Sequence, residues 1–388
     1  MQGKRAWAEI DLDNLAFNVQ QIKSVIKKGE YMAVVKADAY GHGAAVLSPY
    51  LERLGINHFA VSNIEEAEEL RRAGVVSDIL ILGYTDVDLA VELFEQNITQ
   101  AVFSLEYAKA LNSAAKRLGV KINVHIKVDT GMGRIGFNCK NTEGIDKSID
   151  QILEVLSLKS LNVTGIFTHF AESDEEAEEA ISWTKKQFEL FNKTAAEIKL
   201  KTGKNLIMHC CNTAATLFHQ EMQLSLQRIG ISMYGLNPNK ELKLPIKIKP
   251  VMSFKTIISQ IKTVNMGESI SYGRTFIADK ECVIATLPVG YADGYPRNLS
   301  NIGSCYVNGK KARIVGRICM DQMMIDITGI TAKEGDTVEL FGENILAEEV
   351  AEKYNTINYE LVCSVSRRVP RIYIKNGKII RIENYISG

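Results

Sequence analysis

Short apolar runs alternate with longer amphipathic stretches over the first 240 residues, and few folds are compatible with this alternation. The runs are rich in β-branched residues and mostly four to seven residues long, which is typical of strands buried on both faces. Eight such strands, each followed by a helix, predict one (β/α)8 barrel of the TIM type. The eight runs are 31–36, 58–62, 78–82, 99–103, 122–128, 163–169, 206–210 and 224–230.

Two helix starts between these runs carry the pattern of a capping box. Ser62 is followed by Glu65, and Ser173 is followed by Glu176, each ahead of a segment with helical apolar spacing. The acidic run 175–179 is therefore interpreted as a solvated first helical turn rather than a metal site.

The pattern changes near residue 240. Proline becomes frequent, short strand-like runs follow one another, and helical periodicity is nearly absent until about residue 346. Asn308-Gly309 between two such runs predicts a hairpin. We therefore expect an α/β chain with two packed domains, a barrel over 1–240 and a mainly β domain over 241–388.

Composition excludes several classes of protein. The 388 residues carry 46 basic and 46 acidic side chains, so the net charge of +0 argues against a nucleic-acid or anionic-membrane binder. No apolar run approaches the ~20 residues of a membrane span, and the first fifteen residues lack the apolar core of a signal peptide. The 7 cysteines include no C-x-x-C pair, which favours reduced thiols in a cytoplasmic protein and predicts no metal centre.

A glycine pattern at 131–136 matches G-x-G-x-x-G, the fingerprint of dinucleotide binding. No helical periodicity begins there, and the preceding strand is the fifth rather than the first. We therefore reject a dinucleotide-binding fold. Zincin and P-loop motifs are absent from the sequence.

Cationic and polar side chains collect at the carboxyl ends of the predicted barrel strands, where barrel active sites lie. Each one has an ordinary explanation, such as a solvated lysine, a core histidine or a turn glycine, but these explanations do not account for their shared location. A lysine beside an anion-binding mouth suggests a Schiff base, and spacing alone leaves a carbonyl aldolase and a pyridoxal 5′-phosphate (PLP) enzyme open. The residues are Lys36, Tyr40, Lys127, Arg134, His169, Asn212, Thr213, Arg228 and Gly230.

Residues 34–43, VVKADAYGHG, resemble the PLP-attachment signature of bacterial alanine racemase. The resemblance continues across essentially the whole chain, at 127–134, 168–170, 228–231, 271–273, 290–294, 316–322 and 368–371. It implies a barrel followed by a β domain, PLP as cofactor, and supply of D-alanine for peptidoglycan. It also implies a homodimer in which the β domain of one subunit completes the partner's site.

The resemblance further implies a role for each matching residue. Lys36 would bind PLP and serve as one acid/base group, and Tyr272 of the other subunit would serve as the second on the opposite face. Arg228 would face the pyridine nitrogen, and Lys127 would be carbamylated. The phosphate and ring would be held by Tyr40, His169, Asn212, Thr213, Gly230 and Ile231; the substrate by Arg134, Met320 and Asp321; and the access path would be lined by Tyr291 and Tyr359.

One position departs from the family pattern. Some members have a tyrosine just before the Arg-Val-Pro-Arg motif, and this chain has Arg367. We expect Arg367 at the inner gate near the phosphate, where it would strengthen phosphate binding or narrow the entrance for cationic substrates.

Three alternatives to alanine racemisation remain at this point. A racemase of serine or lysine would use the same scaffold, and pocket shape would decide between substrates. A PLP-dependent decarboxylase of basic amino acids is disfavoured by Arg228, because decarboxylation favours a protonated pyridine and an acidic partner. A PLP-carrier protein with a single barrel is disfavoured by the residues beyond the barrel and by the motif around Tyr272.

Overall fold

The computed structural model describes residues 5–386. Its first part is a barrel of eight parallel strands in the order β10-β2-β3-β4-β5-β6-β8-β9, with the short β7 beside β6. The strands are β2 (Glu30–Val34), β3 (His58–Val61), β4 (Asp78–Ile81), β5 (Ile98–Val102), β6 (Ile122–Asp129), β7 (Phe137–Asn138), β8 (Leu161–Phe167), β9 (Ile207–His209) and β10 (Leu226–Ile229).

The barrel closes between β9 and β10. The Ser225 amide donates to the Met208 carbonyl at 2.9 Å, and the Arg228 amide donates to the Cys211 carbonyl at 3.1 Å. All eight apolar runs that the sequence predicts as strands therefore overlap a barrel strand, because strands buried on both faces are continuously apolar.

Helices connect the barrel strands and cover them. No helix among residues 5–386 is long and apolar enough to cross a membrane. The helices of this part are α1 (Leu12–Val25), α2 (Lys36–Tyr40), α3 (Ala44–Arg53), α4 (Ile64–Arg72), α5 (Ala90–Glu95), α6 (Leu105–Leu118), α7 (Thr142–Ser157), α8 (Glu178–Thr202) and α9 (Thr213–Phe218).

Both predicted helix starts are wrong in detail. Helix α4 is capped by Asn63, one residue after Ser62, and the Asn63 Oδ1 accepts from the Glu66 amide at 3.0 Å. Helix α8 begins at Glu178, and the Ser173 hydroxyl instead donates to the Asn212 side chain at 2.9 Å. Nearby capping residues compete, and tertiary contacts decide between them.

The second part is a ten-stranded sheet in the order β12-β15-β18-β17-β16-β19-β11-β1-β20-β21. The predicted hairpin at Asn308-Gly309 is confirmed, since it joins β16 to antiparallel β17. The strands and helices here are β11 (Met252–Ile257), β12 (Gln260–Val264), β13 (Ser269–Ile270), β14 (Phe276–Ile277), β15 (Cys282–Leu287), β16 (Ser304–Val307), β17 (Lys310–Ile314), β18 (Met323–Asp326), β19 (Thr337–Phe341), β20 (Arg371–Lys375), β21 (Lys378–Glu383), α10 (Ala347–Lys353) and α11 (Asn358–Cys363).

The strand β1 (Ala6–Asp11) joins this second sheet, although it opens the chain. It pairs with β11 in antiparallel and with β20 in parallel register. The two parts also share one continuous hydrophobic core. The β domain therefore packs firmly against the barrel and is tied to both ends of the chain.

Candidate active site

Lys36 follows strand β2 and begins an unusual turn. Ala37, Asp38, Ala39 and Tyr40 all have φ between 52° and 54°, so α2 continues from Lys36 as a turn of left-handed helix. Each non-glycine residue in this conformation costs roughly 1–2 kcal/mol. Such strain persists only where the surroundings determine the backbone, and it clusters at functional sites.

A cavity of about 820 Å³ opens at the carboxyl ends of the barrel strands. Eleven residues that the sequence predicts for the site lie on its wall. Its only acidic lining residues within 5–386 are Asp174 and Glu360. The lining therefore has a surplus of positive charge and is suited to anionic ligands. The eleven predicted residues are Lys36, Tyr40, Lys127, Arg134, His169, Asn212, Thr213, Arg228, Gly230, Ile231 and Tyr359.

Arg228 lies buried at the floor of the cavity, held by neutral groups. Its guanidinium donates to Nδ1 of His209 at 3.0 Å and to Nδ1 of His169 at 3.1 Å, and to the carbonyls of Thr168 and Cys210 at 2.8 and 3.0 Å. Burial and the guanidinium hold the pKa of both histidines well below the usual range. Arginine has no acceptor, so both rings must carry their proton on Nε2.

A third histidine extends this hydrogen-bond network into the barrel interior. Nδ1 of His125 lies 3.0 Å from Nε2 of His209, and burial lowers the pKa of His125 to about 4. Because Arg228 requires His209 to carry its proton on Nε2, this N–H donates a hydrogen bond to Nδ1 of His125. Sequence reasoning missed His209 and His125, although both lie within predicted barrel strands, because a histidine inside an apolar run gives no sign of its partners.

Lys127 is the second lysine of the cavity, and it is buried without a salt bridge to any residue within 5–386. Its ammonium donates to the Val128 carbonyl at 2.8 Å. Burial lowers the pKa of Lys127 most, and repulsion from the Arg228 guanidinium lowers it further, to about 7. The neighbouring Asp129 does not form a salt bridge with it, because that carboxylate accepts from the amides of Gly131 and Gly133 and pairs with Lys140.

A small cradle lies where β10 ends. The Gly230 amide donates to the Thr213 hydroxyl at 2.9 Å, and a Cβ built on Gly230 would lie 2.6 Å from the Tyr40 hydroxyl. Only glycine leaves this space open. A backbone amide, two hydroxyls and the surrounding cations fit the phosphate of PLP. Asn212 lines the same wall, with its side-chain oxygen engaged in capping α9.

Four predicted site residues lie outside this cavity, on loops of the β domain. Tyr272, Tyr291, Met320 and Asp321 are all exposed, and the Tyr272 side chain is 71% exposed. The Ser271 backbone before Tyr272 has φ 67° and the Arg274 backbone after it has φ 50°.

Hydrogen bonds join these loops into one surface. The Ser271 hydroxyl donates to the Arg317 carbonyl at 2.6 Å. The Tyr291 amide donates to the Cys319 carbonyl and the Ala292 amide to the Met320 carbonyl, each at 3.1 Å. The fold therefore presents the four predicted residues together, on a face that does not reach the cavity of the same chain.

The predicted position of Arg367 is wrong. Arg367 is not among the residues that line the cavity, and its guanidinium lies over the Tyr385 ring at 5.2 Å from the centroid. The β domain instead contributes Tyr359 to the cavity wall, and the centroid of its ring lies 6.0 Å from that of Tyr40. Tyr359 comes from α11, so the β domain also contributes to the cavity of its own chain.

Known proteins resemble this chain along its full length. Family models match for the alanine racemase N-terminal domain at residues 10–238 and for the C-terminal domain at 251–373. Alanine racemase 1 of Clostridium acetobutylicum is 44% identical, covering 98% of both chains, and alanine racemase of Clostridium tetani is 45% identical, also covering 98% of both.

Solved structures of alanine racemases resemble this chain as well. The alanine racemase of Clostridium difficile 630 has a TM-score of 0.94 at 39% identity and covers 100% of both chains. The alanine racemase of Bacillus anthracis with bound L-Ala-P has a TM-score of 0.89 at 38% identity, covering 99% of this chain and 98% of that one. Both family models, the full-length relatives and the shared fold show that the chain belongs to the alanine racemase family, the PLP-dependent isomerases that interconvert L- and D-alanine.

Proposed function

We propose that the eleven cavity residues form the PLP and substrate site for this reaction. The observation that carries the assignment is Lys36 at the end of a barrel strand, on the wall of a cavity whose floor is Arg228. When bound, PLP acts as the electron sink that makes the α-proton of alanine removable. Lys36 binds the cofactor through its Nζ and afterwards holds or returns the proton on one face of the substrate.

The cradle and the floor orient the ring. Tyr40, Thr213 and the backbone at Gly230 and Ile231 bind the phosphate. Arg228 would meet the pyridine nitrogen as a donor that cannot accept a proton, which would leave that nitrogen unprotonated. This limits electron withdrawal and disfavours side reactions such as transamination. His169 and His209 fix the Arg228 guanidinium, and Asn212 shapes the wall.

Arg134 binds the substrate carboxylate, and Lys127 positions Arg134. A free ammonium at Lys127 would repel Arg134, whereas a carbamate on its Nζ would be an anion able to pair with the guanidinium. The depressed pKa of Lys127 supports this modification, because only a neutral amine attacks carbon dioxide.

We also propose that the chain is a homodimer with shared sites. Two bases must act on opposite faces of the α-carbon, and Tyr272 supplies the second base from the partner's β domain. Met320 and Asp321 line the carboxylate side, while Tyr291 of the partner and Tyr359 line the access path. The exposure of Tyr272, Tyr291 and Met320 in one chain supports this arrangement, because exposed apolar side chains grouped on one surface commonly mark an interface.

Complementation tests the shared site. Lys36→Ala and Tyr272→Phe proteins, each nearly inactive, are unfolded, mixed and refolded together. A twofold mixed dimer contains one site with both bases and one with neither. Random pairing makes half of the dimers mixed, so activity should recover to roughly a quarter of wild type. Mixed dimers without recovered activity would mean that both bases belong to one chain.

Two further features belong to the same proposal. The domain boundary lies near residue 240, between the barrel and the β domain. The compartment is the cytoplasm, since the seven cysteines are all free and five of them are buried. There the D-alanine would be available for peptidoglycan synthesis, the role known for the family.

A further inference from the structure

The left-handed turn behind Lys36 depends on contacts from several parts of the chain. Within the barrel, a Glu66 carboxylate oxygen accepts from the Ala37 amide at 2.7 Å. A carboxylate oxygen of Asp38, inside the turn, accepts from the Ala44 amide at 2.7 Å. These bonds satisfy both ends of a backbone segment that is disfavoured at every non-glycine residue.

The β domain reaches the same segment from the other side. The Arg371 side chain donates to the Gly41 carbonyl at 3.1 Å, and the Tyr373 hydroxyl donates to the His42 carbonyl at 3.2 Å. Both contacts fall after the four left-handed non-glycine residues, at Gly41 and His42. They fix the backbone where the turn ends and involve none of the four residues whose conformation is unfavourable.

Unlike Arg371 and Tyr373, Tyr385 hydrogen-bonds to a residue inside the left-handed turn. Its hydroxyl donates to the second carboxylate oxygen of Asp38 at 3.0 Å. Within residues 5–386, it is the only side chain of the β domain that hydrogen-bonds to one of the four left-handed residues, and Asp38 forms no salt bridge there. The chain end following β21 is thus connected directly to the turn that carries Lys36.

The Tyr385 ring is itself braced. The guanidinium of Arg367 lies 5.2 Å from the ring centroid and that of Arg371 lies 5.6 Å from it. Cations over an aromatic face are attracted to it. Arg371 is buried and makes four backbone hydrogen bonds, which fix its position. The hydroxyl is therefore aimed at Asp38 by a rigid support, and Arg367 takes part in that support.

We propose that Tyr385, braced by Arg367 and Arg371, is a positioning residue that holds the Lys36 turn through Asp38. This inference rests on the proposed role of Lys36. It explains why a turn with four unfavourable backbone conformations can stay ordered at the cavity. It also assigns Arg367 a function away from the cavity, as part of an interdomain clamp.

Tyr385→Phe tests the clamp, because it keeps the ring between the two guanidiniums and removes only the hydroxyl. Tyr306→Phe is the matched control: Tyr306 is a half-buried tyrosine in β16 of the second sheet, without a side-chain hydrogen bond within residues 5–386. Hydrogen exchange of the peptide covering 36–43 is measured in the cofactor-free protein. Racemisation kinetics are measured in the PLP-loaded protein.

We expect the 36–43 amides to exchange several-fold faster in Tyr385→Phe than in wild type, with other peptides unchanged. We expect kcat to fall about tenfold while KM for alanine stays within about twofold, since a displaced catalytic group costs rate more than binding. Tyr306→Phe should match wild type in both measurements. Unchanged exchange and kcat in Tyr385→Phe would overturn the proposal, as would a lower melting temperature with unchanged kcat.

Two further measurements keep the outcome decisive. If Tyr385→Phe does not fold, Asp38→Asn replaces it, with the same expected exchange and kcat and the same refuting result. Borohydride fixation followed by peptide mapping identifies the lysine that binds PLP. Fixation at a lysine other than Lys36 refutes the proposed function, whereas fixation at Lys36 with an unaltered 36–43 segment refutes only the clamp.

Discussion

The carbamate on Lys127 is the proposal that the electrostatics of the barrel test most directly. As an ammonium, Lys127 is buried near the cations Arg228 and Arg134, and no carboxylate in the part of the chain that the structure describes forms a salt bridge with it. The fall in its pKa from 10.5 to about 7 corresponds to roughly 5 kcal/mol against the charged form, at ~1.36 kcal/mol for each pKa unit. Conversion to an anion would remove this cost and create an ion pair.

The same pKa makes the reaction with carbon dioxide feasible. At pH 7 about half of the Lys127 side chains are neutral, whereas an ordinary lysine is neutral in only a few molecules per ten thousand. The nucleophilic fraction is thus on the order of a thousand times larger. We expect carbamylation at Lys127 and at no exposed lysine.

Labelled bicarbonate provides the assay. The protein is equilibrated with 13C-bicarbonate, and its carbamate resonance is measured by NMR in wild type, Lys127→Ala and Lys121→Ala. Lys121 is an exposed lysine just before the same strand, so its variant is the control. The resonance should disappear only in Lys127→Ala, whose racemisation rate should fall by about 10- to 100-fold, the cost of a lost charged hydrogen bond.

Added acetate should partly restore Lys127→Ala, because it supplies the missing anion beside Arg134. It should have no effect on Lys121→Ala. The reasoning is refuted if fully active wild-type protein shows no carbamate resonance, or if Lys127→Ala retains wild-type activity.

The other predictions concern the floor, the cradle and the buried histidines. Arg228→Glu should slow racemisation by about two orders of magnitude and raise the share of transamination, measured as pyruvate formed per turnover; unchanged kinetics would remove Arg228 from the site. Gly230→Ala should weaken PLP binding in a titration of the apoprotein, because the added Cβ would lie 2.6 Å from the Tyr40 hydroxyl. Adding Tyr40→Phe to the Gly230→Ala chain should not fully restore PLP binding. The protein should unfold at a lower denaturant concentration at pH 5 than at pH 7, because burial lowers the pKa of His42 and His125 to about 4. Between pH 6.5 and 4 the unfolded chain binds more protons than the folded protein does. Acidification through this range therefore lowers the free energy of unfolding by up to roughly 3 kcal/mol for each of these histidines. Equal stability at the two pH values would contradict this.

Much of the barrel could be predicted because its strands are buried on both faces and so appear as uninterrupted apolar runs. The membership of β1 in the second sheet could not. Its partners β11 and β20 lie some 240 and 360 residues away, and local periodicity contains no information on such pairing. The shared hydrophobic face of the sheet decides it.

The candidate site shows the same division. Lys36, Lys127, His169 and Arg228 are near strand ends, and parallel strands bring their ends to one mouth, so topology alone predicts that they meet. The position of Arg367 depends instead on the chain end: Tyr385 offers an aromatic face that draws the guanidinium away from the cavity. A motif alignment places a residue in the chain, but the partner that fixes its side chain has to be found in the structure.

The arrangement around Arg228 shows how a buried cation can be held without a carboxylate partner. A buried cation ordinarily needs an anion, yet Arg228 is satisfied by two imidazole nitrogens and two carbonyls. Because each of these groups is neutral, none of them compensates the charge of Arg228, which therefore remains available to attract an anionic ligand. The same residues that satisfy the hydrogen bonds of the guanidinium therefore preserve its attraction for the cofactor and substrate. A carboxylate in place of His209 would pair with the guanidinium and so would weaken its attraction for both.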